Sequence, residues 1–417
     1  MKPALPTMGN RIWLDAAPLL PPRTGIGRYC AGLLQGMAAL KAAQVAAPVV
    51  ELLHADGSLH EVEAALAACA QRLRLPPASM APWRWRMLAL LRRVGRQVPG
   101  LHAINDRWRD LRLAERLRRQ AGMDRVVLHA TNFIPPVALG RWPGGLAVTV
   151  HDMSCFDVPQ THPVERVRRM QLHLPAAVAA ADVVFCVSHH AAQRLRHHLG
   201  VPQEKIRVTP LGVDAVFLDE QLQRRPVVAA RYGLEPGRYW LSVATLEPRK
   251  NLETVIRAFA RLPRDRRLRL PLVLVGAVGW KTAALQRLMD PLVREGSIRV
   301  LGYLPDVELP ALYAHATAVL YLSRYEGFGL PVAEAMACGA LVIASNATSI
   351  PEVLGDAGLS LDPDDEDGLL AHFLNLADEP GHAAFEALRI RARMRACSTF
   401  TWARCAQATL AGYPLRT

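Results

Sequence analysis

The chain has 417 residues, too many for one ordinary hydrophobic core, so two domains of comparable size with a cleft between them are expected. Hydrophobic residues make up 51% and charged residues 21%, which excludes a disordered chain. Lysine and arginine number 50 against 37 acidic residues, a net charge of +13 that favours an anionic partner: a phosphorylated metabolite, an acidic lipid or nucleic acid.

The first residues place Lys2, Arg11 and Asp15 among prolines and lack the apolar run of a signal peptide. Gly25 and Gly27, in Thr24-Gly25-Ile26-Gly27-Arg28-Tyr29, open the first long helix. Its Ile26, Tyr29, Leu33, Met37 and Leu40 recur at steps of three and four and form one apolar face. The two glycines serve an ordinary turn, or else bare their amides to a phosphate or an approaching acceptor. The stretch 83–119 is rich in arginine, including Arg84, Arg86, Arg92 and Arg93, with Trp83 and Trp85 interleaved. It reads as a solvated helix face or as a surface for an anionic bilayer.

Beyond it, short runs of Val, Ile and Leu at 126–129, 146–150, 183–187, 240–244, 271–275, 317–322 and 340–344 alternate with amphipathic segments. Strands buried on both faces, in parallel sheets covered by helices, give this pattern. His151, with Asp152, closes the run 146–150; a lone histidine there is usually a structural one. Residues 213–237 hold no strand run and place a hinge. After the run 240–244 come Arg249 and Lys250, a solvated pair or, at a strand end, an Arg fork and a Lys point charge able to neutralise a diphosphate without magnesium. After 317–322 comes the string from Arg324 to Gly339, in which Glu326 and Glu334 precede or enter a helix and glycines 327 and 329 let the backbone approach a ligand. Taken singly the two glutamates read as solvated acids. The D-x-D within 362–367 follows a short strand and reads as a loop, and no metal site is assigned. The seven cysteines are scattered without a C-x-x-C pair, which argues against a zinc site or a disulfide framework and fits a reducing cytoplasm. The longest apolar stretch, 174–187, is broken by Asp182, so membrane contact is expected to be peripheral.

The string Glu326-Gly327-Phe328-Gly329-Leu330-Pro331-Val332-Ala333-Glu334 resembles the E-x7-E signature of glycosyltransferase family 4, retaining enzymes of the GT-B fold. Leu246-Glu247-Pro248-Arg249-Lys250-Asn251, Thr209 to Asp214, Gly302-Tyr303-Leu304 and Pro351-Glu352-Val353 extend the likeness over almost the whole chain. The resemblance implies an α/β fold of two Rossmann-like domains facing across a cleft: an acceptor domain at 1–218, a donor domain at 219–399, and a helix at 400–417 crossing back. It implies that Glu334 binds the ribose of a nucleotide-sugar donor and that Glu326 lies against the transferred sugar. The amides of Phe328, Gly329 and Leu330 would hold sugar or phosphate, Arg249 and Lys250 the diphosphate, and His151 would face the sugar across the cleft. No cofactor or metal is expected. Thr24 to Tyr29 together with the Arg249 string looks most like mannosyltransferases and rhamnosyltransferases of bacterial surface polysaccharide assembly. The expected donor is therefore a GDP-sugar, and the expected acceptor a saccharide or lipid-linked saccharide at the inner face of the cytoplasmic membrane. A GT-B epimerase or a UDP-sugar transferase is the alternative. An oxidoreductase lacks its G-x-G-x-x-G, and no motif for reading nucleic acid is present.

Overall fold

The computed structural model describes residues 11–19, 25–43, 48–53, 59–61, 126–135, 144–378 and 383–414. Two sheets divide them. The first has seven strands: β1 (Arg11–Asp15), β2 (Val49–Leu53), β3 (Leu59–Glu61), β4 (Val126–Ala130), β5 (Gly145–Val150), β6 (Val183–Cys186) and β7 (Ile206–Val208), in the order β3-β2-β1-β4-β5-β6-β7. Its pairs are parallel except β2 with β3 at the edge. The second has six: β8 (Trp240–Val243), β9 (Leu272–Val275), β10 (Ile298–Gly302), β11 (Ala318–Tyr321), β12 (Val342–Ser345) and β13 (Leu359–Leu361), ordered β10-β9-β8-β11-β12-β13 and parallel throughout.

Each of the seven apolar runs holds one of these strands. The runs are mostly apolar because helices cover both faces of each sheet, so nearly every position is buried, Val243 and Ala244 being half-buried. β1 escapes that signal because Arg11 and Asp15 bracket it. Its Arg11 and Trp13 instead reach across to Glu51 on β2, at 3.0 and 2.8 Å, which lets a half-charged strand occupy the centre of the sheet.

In each sheet the strand order reverses once, between β1 and β4 and between β8 and β11. Helices diverge from that point to opposite faces and leave a crevice at the carboxyl ends of the strands, the usual ligand position in doubly wound sheets. Residues 213–237 contain three short helices, Ala215–Leu218, Glu220–Gln223 and Pro226–Arg231, and no strand.

The last described helix, Trp402–Gly412, returns from the second sheet to the first and packs along α1 (Gly25–Ala42). Small residues make that contact. A Cβ on Gly32 would stand 2.0 Å from the Trp402 ring and one on Gly36 2.2 Å from the Trp402 carbonyl oxygen. The Trp402 indole N–H donates to Asp214 at 2.6 Å, and the Val213 amide to the Phe400 carbonyl at 2.9 Å, so the crossing is tied to the linker. No helix among the described residues is long and apolar enough to cross a membrane. The stretch 83–119, with Trp83, Arg84, Trp85, Arg86, Arg92 and Arg93, lies outside the described residues.

Candidate functional site

The loops after β8 and β11 flank the crevice of the second sheet and are bolted together. The first makes a 3-10 turn at Pro248–Lys250 and then places Asn251 in the left-handed region, which asparagine tolerates better than most residues. The Asn251 side-chain amide donates to the carbonyls of Leu322 and Pro363, at 3.0 and 2.6 Å, and the Arg324 amide donates to the Arg249 carbonyl at 3.0 Å. The D-x-D loop thus supplies Pro363 as a strut. Its Asp362 accepts the Asp364 amide, and Asp364 pairs with Arg324.

These bolts bring Arg249, Lys250 and Glu326 into one buried cluster. Lys250 Nζ donates to Glu326 Oε1 at 2.6 Å and to the Tyr321 hydroxyl at 3.0 Å. Arg249 Nη1 donates to Glu326 Oε2 at 3.0 Å and to the Tyr325 carbonyl at 2.7 Å, while its Nε and Nη2 hold Glu247. Burial would raise the Glu326 carboxyl, but the two cations outweigh it and hold the pKa at about 2, so Glu326 is charged. Burial, and Arg249 beside it, push the Lys250 ammonium below its usual value. An ammonium has three donors and a guanidinium five. The bonds above use two of the three N–H groups of Lys250 and four of the five of Arg249.

Glu334 lies in the helix Leu330–Ala337, which begins at Gly329 with φ +106°. The Phe328 ring turns away to pack edge-on against Phe400 at 5.5 Å, while the Phe328 carbonyl accepts the Ser349 hydroxyl at 3.1 Å. The start of α1 reaches the same place from the first sheet. Arg28, directly after Gly27, donates to Glu334 Oε1 at 2.5 Å and also bonds Asp306, while the Tyr313 hydroxyl donates to Glu334 Oε2 at 3.3 Å.

From the first sheet, β5 delivers His151. Its Nε2 donates to the Thr131 carbonyl at 2.8 Å, which leaves Nδ1 as the acceptor of the neutral ring. Tyr29 and Phe133 pack edge-on against that ring at 4.9 and 5.3 Å, and burial depresses its pKa. His151 has both the structural role of an ordinary buried histidine and a place at the cleft, since its carbonyl touches Gly327. Asp152 follows, held by the Ser154 amide and hydroxyl at 2.9 and 2.6 Å; burial would raise its carboxyl, but the positive charge of Arg249 and these two bonds outweigh it and lower it. Further bonds cross the cleft: Tyr325 to Asp157 at 2.7 Å, Trp280 to the Thr161 carbonyl at 2.6 Å, and the amides of His189 and His190 to Glu352 at 2.8 and 2.7 Å.

Glu326, Glu334, Arg249, Lys250, Gly329, Leu330, Gly27 and His151 therefore gather around one cleft. Arg28, Asp152 and Tyr321 join them unforeseen. Their signal in the sequence was adjacency, since each lies within a few residues of a position singled out for its motif.

A family model described as "Glycosyl transferases group 1" matches residues 230–393, and one described as "Glycosyltransferase Family 4" matches 23–217. The chain is 33% identical over 405 residues to "O-antigen chain mannosyltransferase B" of Escherichia coli, covering 97% of this chain and all of that protein. It is 31% identical over 253 residues to "Serotype-specific mannosyltransferase WbdA" of Escherichia coli, covering 59% of this chain and 30% of that larger protein. Among solved structures, sucrose-phosphate synthase from Thermosynechococcus elongatus superposes with TM-score 0.64 at 19% identity, covering 96% and 97% of the two chains. WaaG, a glycosyltransferase involved in lipopolysaccharide biosynthesis, superposes with TM-score 0.61 at 17% identity over 95% and 98%. These two show a shared fold.

Proposed function

The chain belongs to glycosyltransferase family 4, and from that premise we propose that it transfers a hexose, mannose before rhamnose, from a GDP-sugar to a lipid-linked saccharide in O-antigen or related polysaccharide assembly. The likeness to an O-antigen mannosyltransferase over that protein's full length supports the sugar and the setting. Residues 1–218 are assigned to the acceptor and 219–399 to the donor. The observation that carries the reading is the buried cluster of Glu326 with Lys250 and Arg249 at the carboxyl ends of β8 and β11. A departing nucleoside diphosphate develops negative charge there, and fixed N–H donors in a water-poor cleft stabilise that charge most effectively.

In this mechanism the ribose hydroxyls rest on Glu334, and the sugar lies between Glu326 and His151. The free N–H groups of Lys250 and Arg249, with the amides near Leu330, receive the diphosphate. The bond from the anomeric carbon to the phosphate oxygen breaks, the acceptor hydroxyl adds on the same face, and its proton passes to the leaving phosphate oxygen. The configuration is retained without a protein nucleophile. The two cations take the part a divalent metal plays elsewhere. The arginine- and tryptophan-rich stretch 83–119 is assigned to the anionic inner face of the cytoplasmic membrane, where such an acceptor resides.

The test offers the purified chain GDP-mannose, GDP-rhamnose or UDP-glucose with a lipid-linked saccharide, with and without chelator, and follows the product by NMR. Transfer from GDP-mannose with a retained anomer, undiminished by chelator, is the expected result. Transfer from a UDP-sugar alone would replace the donor. Release of an altered sugar nucleotide without acceptor would replace the reaction by an epimerisation.

A further inference from the structure

Arg28 stands on the first turn of α1, yet its guanidinium is committed to the other half of the molecule. Nη1 meets Glu334 Oε1 at 2.5 Å, Nη2 meets Asp306, and the group lies 5.9 Å over the Phe217 ring. Glu334 is almost wholly buried, at 2% exposure. The groups facing it are Arg28 from α1, Tyr313 from the helix Leu309–Ala314, Asp306 from the loop after β10, Asp214 from the linker, and Cys338 just beyond its own helix. Within that set Arg28 is the cation, and Asp306 and Asp214 are acids.

We propose that Arg28 is a positioning residue of the donor site, which forks across the cleft to hold Glu334 as a fixed, charged acceptor for the donor's ribose hydroxyls. The proposal rests on the reading that Glu334 takes the ribose. A carboxylate presents about four lone-pair positions, two on each oxygen. Arg28 uses one on Oε1 and Tyr313 one on Oε2, so each oxygen keeps one, the number a ribose diol requires. The rigid, planar fork also fixes the plane of the carboxylate, which a flexible ammonium would not. Charge matters as well as orientation. Burial, with the neighbouring acids, keeps the Glu334 carboxyl above its usual value even with Arg28 in place, and Arg28 is the chief influence opposing that rise. Without it Glu334 binds a proton at higher pH and loses an acceptor position.

The experiment measures donor KM and kcat between about pH 6 and about pH 9 for the full chain and for R28M, R28K, D306N and E334Q, with each fold checked by circular dichroism. R28M is expected to raise donor KM about tenfold at the acid end and to recover toward the parent value as pH rises, with kcat much less affected. R28K is expected to restore a parent-like profile with a modestly raised KM, and D306N, which removes an acid facing Glu334 but keeps the bond from Arg28, to shift any acid-side rise in KM to lower pH. An R28M penalty equal at every pH, or no penalty, overturns the proposal. If R28M does not fold, R28K carries the test: a parent KM at every pH would show that the fork is not needed. E334Q distinguishes the two layers. An unchanged donor KM in E334Q removes the ribose assignment itself, whereas an impaired E334Q beside an indifferent R28M removes only the role of Arg28.

Discussion

The carbonyl oxygen of His151 lies against the α-carbon of Gly327, so close that a Cβ on Gly327 would stand 1.9 Å from it and 2.9 Å from the Cβ of Asp152. The loop after β5 and the loop after β11 thus meet backbone to backbone, and no side-chain rotation makes room. Gly327→Ala should hold the loops apart, and a displacement of order 1 Å costs about a hundredfold in rate. The expected outcome is that loss in kcat with each sheet still folded, read by turnover beside circular dichroism. A parent rate in G327A would show that the closed contact is not the working arrangement.

The fold and the cluster of Glu326 with Arg249 and Lys250 were legible because both depend on local patterns. Strands buried on two faces write themselves as runs such as Val183–Cys186, and the glutamates at 326 and 334 belong to one string. What the sequence hid is what distant segments do to each other. Arg28 and Glu334 are 306 positions apart, and nothing local to α1 says that its first arginine leaves its own sheet. β1 was hidden for the same reason, because the partner that makes Arg11 and Trp13 acceptable is Glu51 on another strand. The D-x-D loop was readable as a structural loop, but its use as an anchor for Asn251 was not.

On the proposed mechanism, Glu326 couples catalysis to stability. It is buried with two cations, so Glu326→Gln leaves Lys250 and Arg249 facing each other without their shared anion. Breaking one side of a buried pair costs about 3–5 kcal/mol, which E326Q and K250M should each approach in denaturant unfolding. The double variant should lose less than the sum, because the second change removes a charge the first left unpaired. Turnover should collapse in all three. Near-parent transfer by E326Q or K250M would remove the cluster from the mechanism.

Buried histidines set the acid limit of the fold. His129 is wholly buried between the Tyr413 and Thr149 hydroxyls, both at 2.7 Å, and burial lowers its pKa to about 3; His162 is lowered to about 4. Both pKa values lie below the unfolded value, so the stability they contribute is present above about pH 6.5 and is lost as pH falls toward the folded values. Asp15 acts in reverse. Burial raises it to about 6, so it favours the fold at acid pH and offsets part of the histidine loss below that point. Each unopposed histidine should cost about 1.4 kcal/mol per pH unit, and His129→Asn should flatten the fall in Tm between about pH 6.5 and about pH 5. An unchanged slope in H129N would assign the acid sensitivity elsewhere.

Glu352 closes the cleft at its far edge. Its two carboxylate oxygens accept the amides of His189 and His190, the first turn of the helix His189–Leu199, while Ser188 caps the next amide at 3.0 Å. A carboxylate at a helix N-terminus gains from the aligned peptide dipoles as well as from the two bonds, although its exposure to water tempers both. Glu352→Ala should therefore weaken closure by about 1 kcal/mol, enough to shift an open–closed balance severalfold. Glu352→Gln keeps one amide oxygen as acceptor without the charge and should fall between. Small-angle scattering is expected to give E352A a larger radius of gyration than the parent, narrowing again when a GDP-sugar is added. A parent radius together with a parent KM would mean that this contact accompanies closure without favouring it, and would leave the closed form to Gly327, Tyr325 and Trp280.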